Sequence, residues 1–389
     1  MSPMEAPLFS LSPRTLTLAS PILACALLSA CDGGAGADDT DADTDVAVSC
    51  DPVMPSLEWD EKTTGFNQME LTYDVSWSGQ PRTIPWDLWY PTDAATGEAA
   101  AYRGAFADPH AFVDAPFADP SPGCKMPLVV YSHGSQAWGG NESPILRHLV
   151  AQGWVAAAPD HLGNTLDNNI EPRAVTFSMT RVEDVRATID ALEALPADHP
   201  LHGRVDTSKV LVMGHSFGGQ TAWLFSGPTL DTESIVVRCD VDAPPPECEY
   251  AAEAYAGSVD DPRVAAVLPL DGSAGQDLVA DVGWATATRP ILMLSQSSSN
   301  PSDSAFSHAA LAKDVTWVQV AGACHESFTS TALPCPGLDK TEGLQITGRF
   351  VTAFASIQIL GIQDPHALGV LDGTQDVSEK LTIMHHSSP

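Results

Sequence analysis

Residues 209–220 read K-V-L-V-M-G-H-S-F-G-G-Q, and no other stretch constrains the fold as tightly. Val210, Leu211, Val212 and Met213 form a run that is apolar on both faces, the pattern of a strand buried inside a sheet. The run stops at Gly214, and an amphipathic stretch begins after Ser216. A serine between small residues at a strand-to-helix junction is the setting of a nucleophile elbow. The chain there turns so sharply that backbone meets backbone two positions before and after the serine, here at Gly214 and Gly218. Such a turn lifts the Ser216 hydroxyl clear of the sheet and aims the N-terminus of the next helix at it. G-x-S-x-G also arises by chance, so the assignment depends on partners elsewhere in the chain.

Short, uniformly apolar stretches recur at 127–131, 154–158, 264–270, 290–294 and 315–320, with helical patterns at 144–152, 180–195 and 341–360. In the 180–195 stretch Val182, Val185, Ile189, Leu192 and Leu195 fall at helical spacing, with charges between them. Residues 68–77 and 82–90 alternate instead, as antiparallel strands with one wet face do. This predicts an α/β fold: a mostly parallel central sheet, antiparallel N-terminal strands, and helices on both faces. The working loops of such a sheet lie beyond the carboxyl ends of its strands. Residues 92–123, rich in Ala, Asp and Pro, read as a long surface loop. A Pro- and acid-rich insertion at 227–262 carries Cys239 and Cys248 and follows the elbow helix, as a lid or as decoration. The folded domain is expected over 61–365, with 366–389 as a C-terminal tail.

A serine hydroxyl needs a base to take its proton and a carboxylate to hold that base. Of the twelve histidines, His325 follows the last predicted strand in V-A-G-A-C-H-E-S-F, at the sheet's carboxyl edge. His215 is adjacent to Ser216, but its side chain should leave the elbow in another direction; His385 and His386 belong to the polar tail. For the acid, Asp271 directly follows 264–270, and Asp303 lies in the loop after 290–294, where it can equally cap a helix. Either gives the order Ser, Asp, His; Asp271 is the better fixed. The oxyanion donors are expected to be the backbone N–H groups of Phe217 and Ser135, with Gly134 letting the second loop bend and His133 in a structural role. Trp138 lines the acyl pocket or belongs to the core. No C-x-x-C occurs, and the chemistry calls for neither metal nor cofactor.

W-D-L-W-Y-P-T (86–92), L-V-V-Y-S-H-G (128–134), G-W-V-A-A-A-P-D-H (153–161), G-H-S-F-G-G (214–219), L-P-L-D (268–271) and C-H-E-S-F (324–328) follow one another in the chain. In this order they resemble the α/β-hydrolases, and within them the platelet-activating-factor acetylhydrolase group and its bacterial relatives. The resemblance implies Ser216 as nucleophile, Asp271 as acid, His325 as base, and the Phe217 and Ser135 amides as oxyanion hole. It further implies serine esterase chemistry on short acyl esters. A short-chain phospholipid, a small ester or a polyester is the expected substrate. A peptidase or amidase on the same scaffold, or a catalytically inactive surface binding lipoprotein, are the alternatives. Dienelactone hydrolases share the scaffold but carry cysteine where this elbow has Ser216.

The N-terminus belongs to targeting. Arg14 precedes an apolar run over 16–28, a length that suits a signal peptide over 1–30 and is short for a membrane span. It ends L-S-A-C, which resembles the lipobox of bacterial lipoproteins, with Cys31 as the lipidated residue. Residues 32–46 carry six aspartates and almost nothing apolar, and the acidic segment 31–60 reads as a disordered tether. The expected location is the bacterial cell envelope, exported and lipid-anchored, or secreted if the lipobox is not used. A net charge of −32 argues against nucleic acid as a partner. Of eight cysteines, setting aside Cys25 and Cys31 leaves six, an even number that suits disulfides in an exported chain. The nearest-neighbour pairing is Cys50–Cys124, Cys239–Cys248 and Cys324–Cys335.

Overall fold

The computed structural model describes residues 49–387, apart from 61, 242–247, 258, 276, 280, 298–313 and 332. The signal segment, Cys31 and Asp303 lie outside the described residues. Eleven strands form one sheet: β1 Thr64–Asp74, β2 Pro81–Pro91, β3 Ala99–Tyr102, β4 Phe106–Val113, β5 Met126–Ser132, β6 Val155–Pro159, β7 Val205–His215, β8 Val264–Leu270, β9 Ile291–Gln296, β10 Asp314–Val320 and β11 Leu381–Ser387. Their order across the sheet is β11-β10-β9-β8-β7-β5-β6-β2-β1-β4-β3. The centre, from β6 through β10, is parallel, while β1 and β2 pair antiparallel and β2 joins the centre antiparallel to β6. The expected architecture is the one observed.

Period-two side-chain geometry divides the core between two faces. Val210 and Val212 of β7 join a cluster with Val182, Val185 and Ile189 of helix α2 (Phe177–Glu193) and Trp223 of helix α3 (Phe217–Leu224). Leu211 and Met213 point the other way, into Ile145 and Leu149 of helix α1 (Ser143–Val150) and Phe350 and Phe354 of the helix Lys340–Gln358. Each such side chain, fully withdrawn from water, contributes about 1.5–3 kcal/mol. This two-sided burial is why the central strands read as apolar throughout.

The edges depart from expectation. Residues 92–123 hold β3 and β4, which extend the sheet beyond β1. Residues 366–389, expected as a tail, hold most of the helix Pro365–Asp372, capped by the Asp364 carboxylate, and β11, which covers the edge of β10. Part of the expected tether is docked: Cys50 is bonded to Cys124, Leu57 is buried, and Trp59 stacks on His148 at 4.9 Å. Cys239–Cys248 and Cys324–Cys335 are the other disulfides, with Cα atoms 5.9 and 5.7 Å apart. The insertion forms helices α4 (Thr232–Val241) and α5 (Ala251–Ala256), and Tyr255 donates from its hydroxyl to the Val175 carbonyl at 2.7 Å.

Candidate active site

Ser216 sits between β7 and α3 at φ 55° and ψ −116°, a conformation that costs about 1–3 kcal/mol for a residue with a side chain. Tight packing enforces it. A Cβ on Gly214 would strike the Gly218 carbonyl, and one on Gly218 would overlap the Ser132 carbonyl at the end of β5. On the other side Gly219 lies against Gly272, so the elbow is wedged between β5 and the loop leaving β8. The Ser216 N–H donates to the Leu270 carbonyl at 2.9 Å, tying the elbow to the residue before Asp271.

Asp271 itself has φ 43° and turns its carboxylate toward the loop after β10. There His325 Nδ1 lies 2.5 Å from Asp271 Oδ2, in a short charge-assisted contact. Gln296, at the end of β9, holds the same carboxylate through its backbone N–H (3.1 Å) and its amide (2.9 Å). The bond to Asp271 raises the His325 pKa above the usual imidazole value, against a smaller opposing effect of burial. With Nδ1–H committed to the carboxylate, Nε2 is left as the basic nitrogen. Asp271 is thus bonded to His325, while Asp303, the other candidate acid, lies outside the described residues.

The serine-to-histidine half of the arrangement is open: among the described residues Ser216 Oγ has no hydrogen-bond partner. Proximity is set by His215, whose ring centroid lies 4.5 Å from that of His325. Burial, aided by neighbouring His325, drives the His215 pKa down to about 4, so this imidazole is neutral and donates from Nε2 to the His325 carbonyl at 2.9 Å.

The second loop beside Ser216 leaves β5 at Ser132. A Cβ on Gly134 would stand 3.4 Å from Ser216 Cβ, so this loop passes in contact with the serine. His133 is fully buried; its Nε2 accepts from the His161 N–H at 2.9 Å, which leaves Nδ1–H to donate to the Gly134 carbonyl at 2.7 Å. That bond fixes the plane of the Gly134–Ser135 peptide and therefore the direction of the Ser135 N–H. The Phe217 N–H opens α3, where helical amides lack an intrahelical acceptor.

Beneath this loop lies a buried polar cluster. Asp184 accepts from Arg82 Nε (2.7 Å), the Tyr73 hydroxyl (2.7 Å) and His161 Nδ1 (2.9 Å). His161 Nε2 in turn faces Ser132 Oγ at 2.9 Å. Burial takes the His161 pKa down to about 3, so it is neutral. Arg181 from α2 completes the cluster, and burial lowers its pKa to about 9. Sequence periodicity assigns Arg181 and Asp184 only to the charges between apolar positions of α2, and it offers no sign of His161, Asn164 or Gln296.

A cavity of about 500 Å³ is lined by Trp77, Ile170, Arg173, Phe177 and Tyr250 among others. Arg173 donates to Ser135 Oγ at 3.1 Å and lies 5.5 Å from the centroid of the Phe217 ring, linking cavity to loop. Trp138 faces elsewhere and stacks on Phe106 at 4.2 Å.

The sheet order, the strained serine between β7 and α3, and the loops of β5, β8 and β10 converging on it define an α/β-hydrolase fold. Residues 113–237, from the end of β4 through the elbow and into α4, match the sequence model of the Dienelactone hydrolase family. Chlorophyllase-1 from Citrus unshiu and from Citrus sinensis are each 28% identical over 99 residues, 25% of this chain. The match spans 28% of the length of those relatives. A solved ferulic acid esterase from Streptomyces cinnamoneus shares the fold at a TM-score of 0.56 and 20% identity, over 83% of this chain and 96% of that one.

Proposed function

We propose that this protein is a serine carboxylic ester hydrolase acting on acyl esters. The observation that carries the reading is the 2.5 Å contact between His325 Nδ1 and Asp271 Oδ2, together with a strained elbow serine, Ser216, whose Oγ has no hydrogen-bond partner among the described residues. Ser216 Oγ attacks the ester carbonyl as His325 Nε2 takes its proton, and Asp271 stabilises the imidazolium that forms. The Phe217 and Ser135 N–H groups receive the oxyanion. His325 then protonates the departing alcohol, and water repeats the sequence to release the acid. The matched family and the Citrus relatives support ester chemistry.

The resemblance to the platelet-activating-factor acetylhydrolase group favours a short acyl chain, and we place the larger half of the ester in the cavity whose wall residue Arg173 contacts Ser135. Three disulfides suit an oxidising compartment, in keeping with an exported lipoprotein anchored through Cys31. Fractionation of cells expressing Cys31→Ala, which should leave the membrane pellet, tests the anchor.

The activity is tested with the mature chain lacking its lipid, by release of p-nitrophenol from acetate through octanoate esters, against Ser216→Ala. Turnover is expected for the wild type and abolished in the variant. Activity that survives Ser216→Ala refutes the mechanism, and no turnover by the wild type supports a binding protein instead.

A further inference from the structure

Arg181 is fully buried, and among the described residues every hydrogen-bond acceptor it has is neutral. Its Nη2 donates to the His133 carbonyl and to Ser132 Oγ (3.2 Å), Nη1 to Asn164 Oδ1 (3.1 Å), and Nε to Thr221 Oγ1 (3.2 Å). The guanidinium carbon lies 4.5 Å from the centroid of the Phe217 ring. Asp184, a nearby carboxylate of the cluster, is engaged by Arg82, Tyr73 and His161, and among the described residues no carboxylate comes within ion-pair distance of Arg181. With His133 and His161 both neutral, Asp184 is shared: it pairs directly with Arg82 and supports the Arg181 charge only from beyond ion-pair distance.

A buried cation whose direct contacts are all neutral is unfavourable in the resting protein. This one touches both halves of the proposed oxyanion hole: the end of β5 that leads to Ser135, and the first turn of α3 that supplies Phe217. We propose that Arg181 is a positioning residue of the oxyanion hole, clamping its two donor segments together and holding a charge that the tetrahedral oxyanion balances. The inference rests on the ester-hydrolase reading. Its logic is differential binding: a charge better matched in the transition state than in the ground state lowers the barrier, whereas one matched equally in both does not.

Two kinds of variant separate charge from architecture. Arg181→Gln removes the charge and part of the clamp, and Arg181→Lys keeps the charge. Asn164→Asp leaves the guanidinium in place and gives it a carboxylate partner at Nη1. Asn164 Nδ2 also donates to Ser135 Oγ and Asn169 Oδ1, so Ser135→Ala, which keeps the backbone N–H, is the control for the lost bond to Ser135. The readouts are kcat and KM for p-nitrophenyl acetate, labelling of Ser216 by a fluorophosphonate to count folded sites, and affinity for an aryl trifluoromethyl ketone. In that adduct Ser216 Oγ bonds to the ketone carbon, its proton passes to His325, and the oxyanion remains.

Per labelled site, Arg181→Gln and Asn164→Asp should lose about 10- to 100-fold in kcat with KM within about threefold, and ketone affinity should fall in step with kcat/KM. Arg181→Lys should retain more activity than Arg181→Gln. Full kcat and full ketone affinity in labelled Asn164→Asp overturn the proposal, and they do so even if Arg181→Gln fails to fold. A wild type that neither turns over ester nor is labelled overturns the ester reading and this inference with it. An active wild type with an unaffected Asn164→Asp overturns this inference alone.

Discussion

His215 donates from Nε2 to the backbone carbonyl of His325 at 2.9 Å, so the residue next to the elbow serine holds the loop that carries the proposed base. Two imidazoles lie side by side here, and their environments push them apart. Contact with Asp271 raises the pKa of His325, while burial lowers that of His215 to about 4. Near neutral pH one can accept a proton and the other is a fixed donor, which divides proton transfer from positioning.

Removing that donor should loosen the base and leave the elbow intact. His215→Ala is expected to lower kcat about tenfold with KM changed less than threefold, because a displacement near 1 Å is costly to a preorganised site. Steady-state kinetics on a p-nitrophenyl ester measure both. Equal losses in His215→Ala and Ser216→Ala would give His215 a direct chemical role instead.

The pH profile follows from His325. As general base it works only when neutral, and its pKa is raised, so the acid limb of kcat/KM should lie above the ordinary imidazole value of 6.5. Activity should fall as pH drops through that limb. Asp271→Asn removes the contact that raises the pKa, so the limb should move to lower pH while kcat falls by about 10³–10⁴. A limb that stays in place in the variant would show that another group titrates.

The elbow leaves no room for a methyl group. Gly218→Ala would drive a Cβ into the Ser132 carbonyl, backbone against backbone, and relief would require β5 and α3 to separate. The expected cost is about 3 kcal/mol or more, visible as a lower thermal midpoint or insoluble protein. Gly361→Ala differs: its surroundings are open, and only its φ of 71° is unfavourable, so a cost of about 1 kcal/mol is expected.

Glu142 is buried beside the His325 loop, and among the described residues neither carboxylate oxygen has a hydrogen-bond partner. Burial raises its pKa well above the usual carboxyl value, with Lys340 opposing and Glu326 adding to the rise. The folded state therefore favours the protonated form. The stability Glu142 contributes is fully present below the unfolded pKa of 4.5 and declines as pH rises through the folded pKa. Glu142→Gln should flatten this dependence, with a gain of about 2–4 °C in Tm at pH 8 and little change at pH 4. Parallel melting curves for the two proteins across that range would show that Glu142 is not the titrating group.

Sequence by itself determined the elbow, the central strands, and the positions of Asp271 and His325 just past strand ends. Each depends on a local pattern: an apolar run buried on both faces, a small-residue turn, or a polar residue following a run. The sheet margins were less legible, because β3, β4 and β11 lie at or near its edges and carry no such run. Tertiary structure decided which distant groups meet. It joined Asp271 to His325 across 54 positions and turned His215 into a tether. It also drew Arg181 and Asp184 from a helix read as charged between its apolar positions into the interior beneath Ser135. A buried charge is tolerated only where remote segments supply its hydrogen bonds, and the four acceptors of Arg181 come from β5, the loops after β5 and β6, and α3. No periodicity along one helix records such partners.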